Sequence, residues 1–229
     1  MTRLRDRFRR ARRAGERGQT MFEVVTVVII LGVVLMFVYQ GINSAQQAIG
    51  GTEKRLANLD EARTLMAVST KDVRTATRLQ AGTSPFSLAD KREIIFYANL
   101  NNDGSSGSVV DNGPRRVRIF VDSTSQLIEE VVKPGAASVP PAYTYLGSPT
   151  RRFVGRYVAN AVNQPIFRYF DTNGVELTAT PLSATDRLAV NSVQITLSIR
   201  RSTTFPISNT TLVNTVRLPN VDYQETLGG

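Results

Sequence analysis

Between Gln19 and Ile42 the chain carries a single charge, Glu23, in 24 residues, and the next charge is Glu53. The apolar body of this stretch, VVTVVIILGVVLMFV, runs from Val24 to Val38. A membrane-spanning helix needs about 20 mostly apolar residues. The body alone falls short of that, and the full window reaches it if the carboxylate is neutral or paired. An ionisable group inside such a segment is expensive and marks a functional site by default. Lipid or neighbouring subunits must cover the rest of the stretch.

Ahead of it, residues 1–18 hold eight arginines against Asp6 and Glu16, a net of +6. The formal charge of the whole chain is +9. The excess therefore belongs mostly to a short tail, where it sets membrane orientation rather than gripping phosphates. Cysteine, histidine and tryptophan are absent. That excludes disulfides, thiolate and imidazole metal sites, and Ser-His-Asp or Cys-His catalysis within one chain. Adjacent carboxylates remain at Asp60-Glu61 and Glu129-Glu130. The first pair lies among basic residues on a helical pattern, and the second points to opposite faces of a strand, so neither reads as an acid/base pair. The chain is expected not to be an enzyme and to need no cofactor.

Beyond Gly41 the pattern turns amphipathic. Leu56, Leu59, Ala62, Met66, Val73, Ala76 and Leu79 recur at helical spacing between basic residues. One helix is predicted from about Thr20 to about Gln80, loosened at Gly41 or at Gly50-Gly51. From about residue 92 the period becomes two. Strands are predicted over 92–98, 115–122, 126–133, 191–201 and 209–220. IFRYFD (166–171), the Thr172-Asn173-Gly174 turn and the following VEL form a hairpin, because Asn-Gly is a strong turn signal. A long helix followed by antiparallel strands is an α+β order.

Where a protease could cut matters, because a secretory signal also has a basic head and an apolar body. Downstream, the best small-residue site is around Asn43-Ser44-Ala45, and it lacks a small residue at the upstream position. Upstream, Gly18 immediately precedes the apolar frame. The segment GQTMFEVVTVVIILG resembles the N-terminus of type IV prepilins and type II secretion pseudopilins. The resemblance implies cleavage after Gly18 and N-methylation of Gln19 by a prepilin peptidase. It further implies assembly and processing roles for Thr20, Glu23 and Gly32, which fall on the family's second mature residue, fifth-position glutamate and helix glycine. Gln19 departs from the family's usual Phe or Met. Tyr39-Gln40-Gly41 stands where many major pilins carry a proline, a pattern commoner in minor pilins and pseudopilins. The remainder more loosely resembles J-type minor pseudopilins, through DEARTLMAVSTKDVRTATRL, EIIFYANLNNDG with RRVRIFVD, and TVRLPN.

The resemblance implies a division into a cleaved basic leader (1–18), an apolar transmembrane and assembly helix (19–45), an amphipathic helix packing on the head (46–80) and a β-rich globular head (81–229). The implied architecture is pilin-like, with the second half of the long helix on an antiparallel sheet. The implied partners are the prepilin peptidase, other pilin or pseudopilin subunits, a membrane assembly platform and the lipid bilayer. The chain would cross a bacterial cytoplasmic membrane once, with its head outside, and then enter a cell-surface or periplasmic filament. In lipid, Glu23 would pair with the new α-amine of Gln19 in the same or an adjacent subunit. The alternatives are a single-pass anchored binding domain such as an adhesin or sensor, and a soluble binding protein released near Ala45.

Three weaker constellations take their ordinary explanations. Asn99, Asn101, Asp103 and Gly104 have the spacing that opens a calcium loop. The first ligand is Asn, and Val110 stands where such a loop needs its Glu, so a hairpin loop is expected and no metal. Arg115, Arg116, Arg118, Arg151, Arg152, Arg156, Arg200 and Arg201 could line a DNA face, but the alternation of Arg116 and Arg118 is that of a solvated sheet face. Nucleic acid is not expected as a partner. Phe120, Tyr143, Tyr145, Phe153, Tyr157, Phe167, Tyr169 and Phe170 read as core and sheet cover.

Overall fold

A computed structural model describes residues 2–100, 113–201 and 209–221, with side chains from Met21 onward. Helix α1 runs Thr2–Arg74. It is followed by β1 (Phe86–Ala89), β2 (Glu93–Ala98), β3 (Arg115–Val121), β4 (Leu127–Val132), β5 (Thr150–Gly155), β6 (Phe167–Phe170) and β7 (Glu176–Leu177). The last elements are a short helix α2 (Ala184–Ala189), β8 (Ser192–Ile199) and β9 (Thr210–Arg217). The chain is α+β and divides into two compact units, Met1–Glu53 and Lys54–Gly229. The first is α1 alone. Its helical backbone continues through the arginine-rich leader, for which the sequence suggested no element.

The second unit contains two antiparallel sheets where the sequence suggested one. The first has the order β1-β2-β3-β4-β5 and the second β7-β6-β8-β9. Period-two burial drives both. Ile94, Phe96 and Ala98 of β2 turn inward, as do Val193, Ile195 and Leu197 of β8. They meet Val117, Ile119, Phe167 and Tyr169 in one continuous core. Main-chain bonds tie the first sheet to the second: Ile166 N–H and Phe167 N–H donate to Lys91 O in the β1–β2 turn (2.8 and 3.0 Å), and Leu182 N–H donates to Ala89 O (2.9 Å). The Asn-Gly hairpin forms as expected. Asp171 Oδ1 accepts from the N–H groups of Asn173 and Val175, both at 2.8 Å, and Gly174 supplies the positive φ of +77°.

Within this unit α1 contributes the face Asn58, Ala62, Leu65, Met66, Ser69, Asp72 and Val73 to the interior. That face includes three polar residues, and Leu56, expected on the stripe, is 56% exposed. The helix stops at Arg74 rather than near Gln80 because the sheet captures the chain. Thr77 N–H donates to Tyr97 O (2.8 Å), Asn99 N–H donates to Thr75 O (3.1 Å), and Ala76 bridges Ala98. These β-type bonds replace the next helical turn.

Helix and sheet approach closely at Gly155. A Cβ there would stand 2.6 Å from both Glu61 Oε1 and Leu65 Cδ2, and 3.1 Å from Leu65 Cγ. Gly155→Ala is therefore expected to cost about 1–3 kcal/mol. A lowered denaturant midpoint of the detergent-solubilised chain would show it, and an unchanged midpoint would mean that α1 shifts freely.

Candidate functional site

The segment singled out by sequence lies on α1 in the first unit. From Met21 to Val38 the large apolar side chains are open to the surroundings: Met21 is 73% exposed, Phe22 75%, Leu31 54% and Phe37 68%. The 18-residue window behind this band has a mean hydropathy of 2.8, enough to cross a membrane by length and composition. Glu23 is exposed within the band. Its neighbour Thr26 returns its hydroxyl to Phe22 O (2.8 Å), so the hydroxyl is satisfied within the helix. Around Gly32 nothing lies within 4 Å of where a Cβ would stand. The backbone at Gly18, Gln19 and Thr20 is helical, while their side chains lie outside the described residues.

The second unit brings together a cluster that sequence reasoning missed. Asp72 of α1, Glu129 of β4 and Arg152 of β5 meet under the first sheet. The Arg152 guanidinium donates through Nε to Glu129 Oε2 (2.7 Å), and its Nη2 contacts the same oxygen. Nη2 also lies 3.6 Å from Asp72 Oδ2, an oxygen with no hydrogen-bond partner. Asp72 is 5% exposed and Glu129 3%. Two buried carboxylates therefore share one guanidinium. Burial raises the Asp72 carboxyl from its ordinary 3.8 to about 6, with the charge of Glu129 adding to the effect. Alternation along 126–133 placed Glu129 and Glu130 on opposite faces, and they are so placed. What sequence could not supply was Arg152, which sits in a stretch without a clear strand pattern.

On the opposite face Arg118 donates to Glu93 Oε1 (2.8 Å) and Glu130 Oε2 (3.0 Å), and its guanidinium lies 4.1 Å from the Phe120 ring centroid. Arg116 lies over Tyr145 and Arg156 over Phe153. Of the arginines considered for DNA, Arg152 reaches two buried carboxylates from an exposed position, Arg118 joins a half-buried ion network, and Arg116 and Arg156 lie over aromatic rings. Of the calcium-like positions, Asn101 and Asp103 lie outside the described residues, and Asn99 donates its N–H to Thr75 O. Among the described residues no three His, Cys, Asp or Glu are grouped to hold a metal ion. No family model matches this chain, and neither a curated protein nor a solved structure matches it.

Proposed function

We propose that this chain is a minor pilin or pseudopilin. It is cleaved after Gly18, methylated at Gln19 and assembled through its apolar helix into a type IV pilus or a type II secretion pseudopilus. The observation that carries the reading is the exposed apolar band from Met21 to Val38 with Glu23 as its single charge. Insertion scales put a charged side chain at the helix centre at about 2.5–3.5 kcal/mol; Glu23, about one turn inside the span, costs less than that but is still disfavoured without a partner. The α-amine created at Gln19 is a cation at the right end of the segment to offset that cost. An amine of one subunit facing Glu23 of the next joins them head-to-tail, and a rotation that does not close gives a filament. Glu23 then acts as a register key, because a subunit out of step leaves the carboxylate unpaired. Gly32 supports the same reading: its helix-interior cost of about 1 kcal/mol relative to alanine is matched by no contact among the described residues, and small residues let membrane helices approach closely.

The test is the intact mass and N-terminal sequence of the protein extracted from membranes of its native host. The expected result is loss of residues 1–18 with a methylated Gln19. A chain beginning at Met1 would make it an anchored binding domain, and one beginning near Gln46 a released protein. Either outcome rejects filament assembly.

A further inference from the structure

Among the described residues of the second unit, one strand edge is left unpaired in a way that suits a partner. β9 pairs with β8 in unbroken register from Ser192↔Arg217 to Ile199↔Thr210, and it ends its sheet. Among the described residues no strand pairs with its other side. Natural edges are blunted by proline, bulges, short length or charge. β9 has eight residues, TTLVNTVR, with no proline, no bulge and no charge before Arg217. Val213 is 57% exposed on it.

Beside this edge lies a groove of about 490 Å³ between β9 and α1. Met66, Ala67 and Leu212 give it apolar walls, and Asn214 Nδ2 donates to Thr70 Oγ1 (3.1 Å) across it. Its helix side carries Arg63, Lys71 and Arg74, all exposed. Residues 63, 67, 71 and 74 share one helix face, so the cations form a row above the apolar wall. A strand added to β9 would turn alternate side chains into this groove.

We propose that the β9 edge and this groove together receive an extended, acidic strand of a different protein. Main-chain bonds to β9 would hold the strand. Apolar side chains would enter over Met66 and Ala67, and carboxylates would meet Arg63, Lys71 and Arg74. Charge excludes a second copy as the occupant, because antiparallel pairing of β9 with itself brings two cationic rows together. The proposal is independent of whether α1 enters a filament.

The probe is a fluorescent eight-residue peptide in which threonine alternates with glutamate and valine in turn. Its anisotropy is followed on the full chain in detergent. Saturable binding is expected, weakened about tenfold or more by Arg63→Glu with Arg74→Glu. N-methylation of the peptide on one edge is expected to abolish binding, which distinguishes strand pairing from adsorption to the arginine-rich leader. Binding that survives both changes, or no binding at millimolar peptide, would overturn the proposal. The chain has no cysteine, so Val213→Cys provides a second measurement. Rapid disulfide dimerisation of that variant through β9 would assign the edge to a second copy and reject the acidic partner.

Discussion

Replacing Asp72 with asparagine is expected to stabilise the fold by roughly 1–3 kcal/mol at pH 7.5 and to change little near pH 4. The folded carboxyl titrates at about 6 against an ordinary 3.8, so the native state holds the proton more tightly than the unfolded chain does. The associated stability is fully present below about 4 and is lost as pH rises through about 6. A shift of this size corresponds to about 3 kcal/mol between the two limits. Desolvation is the first cause and the charge of Glu129 the second, while Arg152 and Lys71 oppose them. Asparagine keeps the shape and removes the charge, leaving Arg152 and Glu129 as a neutral pair. The contrasting change, Glu129→Gln, strips Arg152 of its closest carboxylate and is expected to destabilise by about 1 kcal/mol, because the guanidinium is 54% exposed and can turn to water. Denaturant curves of the three proteins at pH 4 and pH 7.5 separate these outcomes. If Asp72→Asn is destabilised at pH 7.5, the second carboxylate is a needed partner of Arg152 and the burial cost has been overrated.

The second large effect concerns Glu23. If the proposed assembly is right, Glu23→Gln leaves insertion into the membrane intact and lowers recovery in sheared filaments about tenfold or more. Loss of an intersubunit charge pair in lipid worth about 2 kcal/mol already exceeds a tenfold change in an equilibrium constant. The comparison is the ratio of filament-associated to membrane-associated protein in the native host, measured alongside the N-terminal mass. Equal ratios for the variant and the parent, with cleavage after Gly18 intact, would remove Glu23 from assembly while leaving processing standing.

Legibility in the sequence followed from how local each signal was. β2, β3, β4, β8 and β9 show their alternation directly, and Asn173-Gly174 marks its own turn. β5 was missed because TRRF shows no alternation of apolar and polar residues; Arg151 and Arg152 are both exposed, and only the register with β4 sets Arg152 against Glu129. β1 has only four residues and owes its form to pairing with β2. The helix end shifted by several residues because Ala76 and Thr77 exchanged helical bonding for bonds to a strand some twenty residues later. The buried cluster lay beyond pattern reasoning altogether: Asp72, Glu129 and Arg152 are distant in sequence, and nothing local distinguishes a carboxylate with a buried partner from a solvated one. The apolar band and Glu23 were legible at once, since neither needs tertiary contact to be recognised.

The polar residues on the inner half of α1 also have a mechanical meaning. Asn58 Oδ1 accepts from Arg201 N–H (3.1 Å), Glu61 Oε1 from Arg156 N–H (2.8 Å), and Thr70 Oγ1 from Asn214 Nδ2 (3.1 Å). An apolar helix face can creep over a sheet by small repackings, but these three anchors fix both its rotation and its height. Slipping by one turn, about 5.4 Å, would break them together. Tension drawn along the helix therefore meets one steep rupture barrier, and the joint behaves as a latch instead of a sliding friction contact.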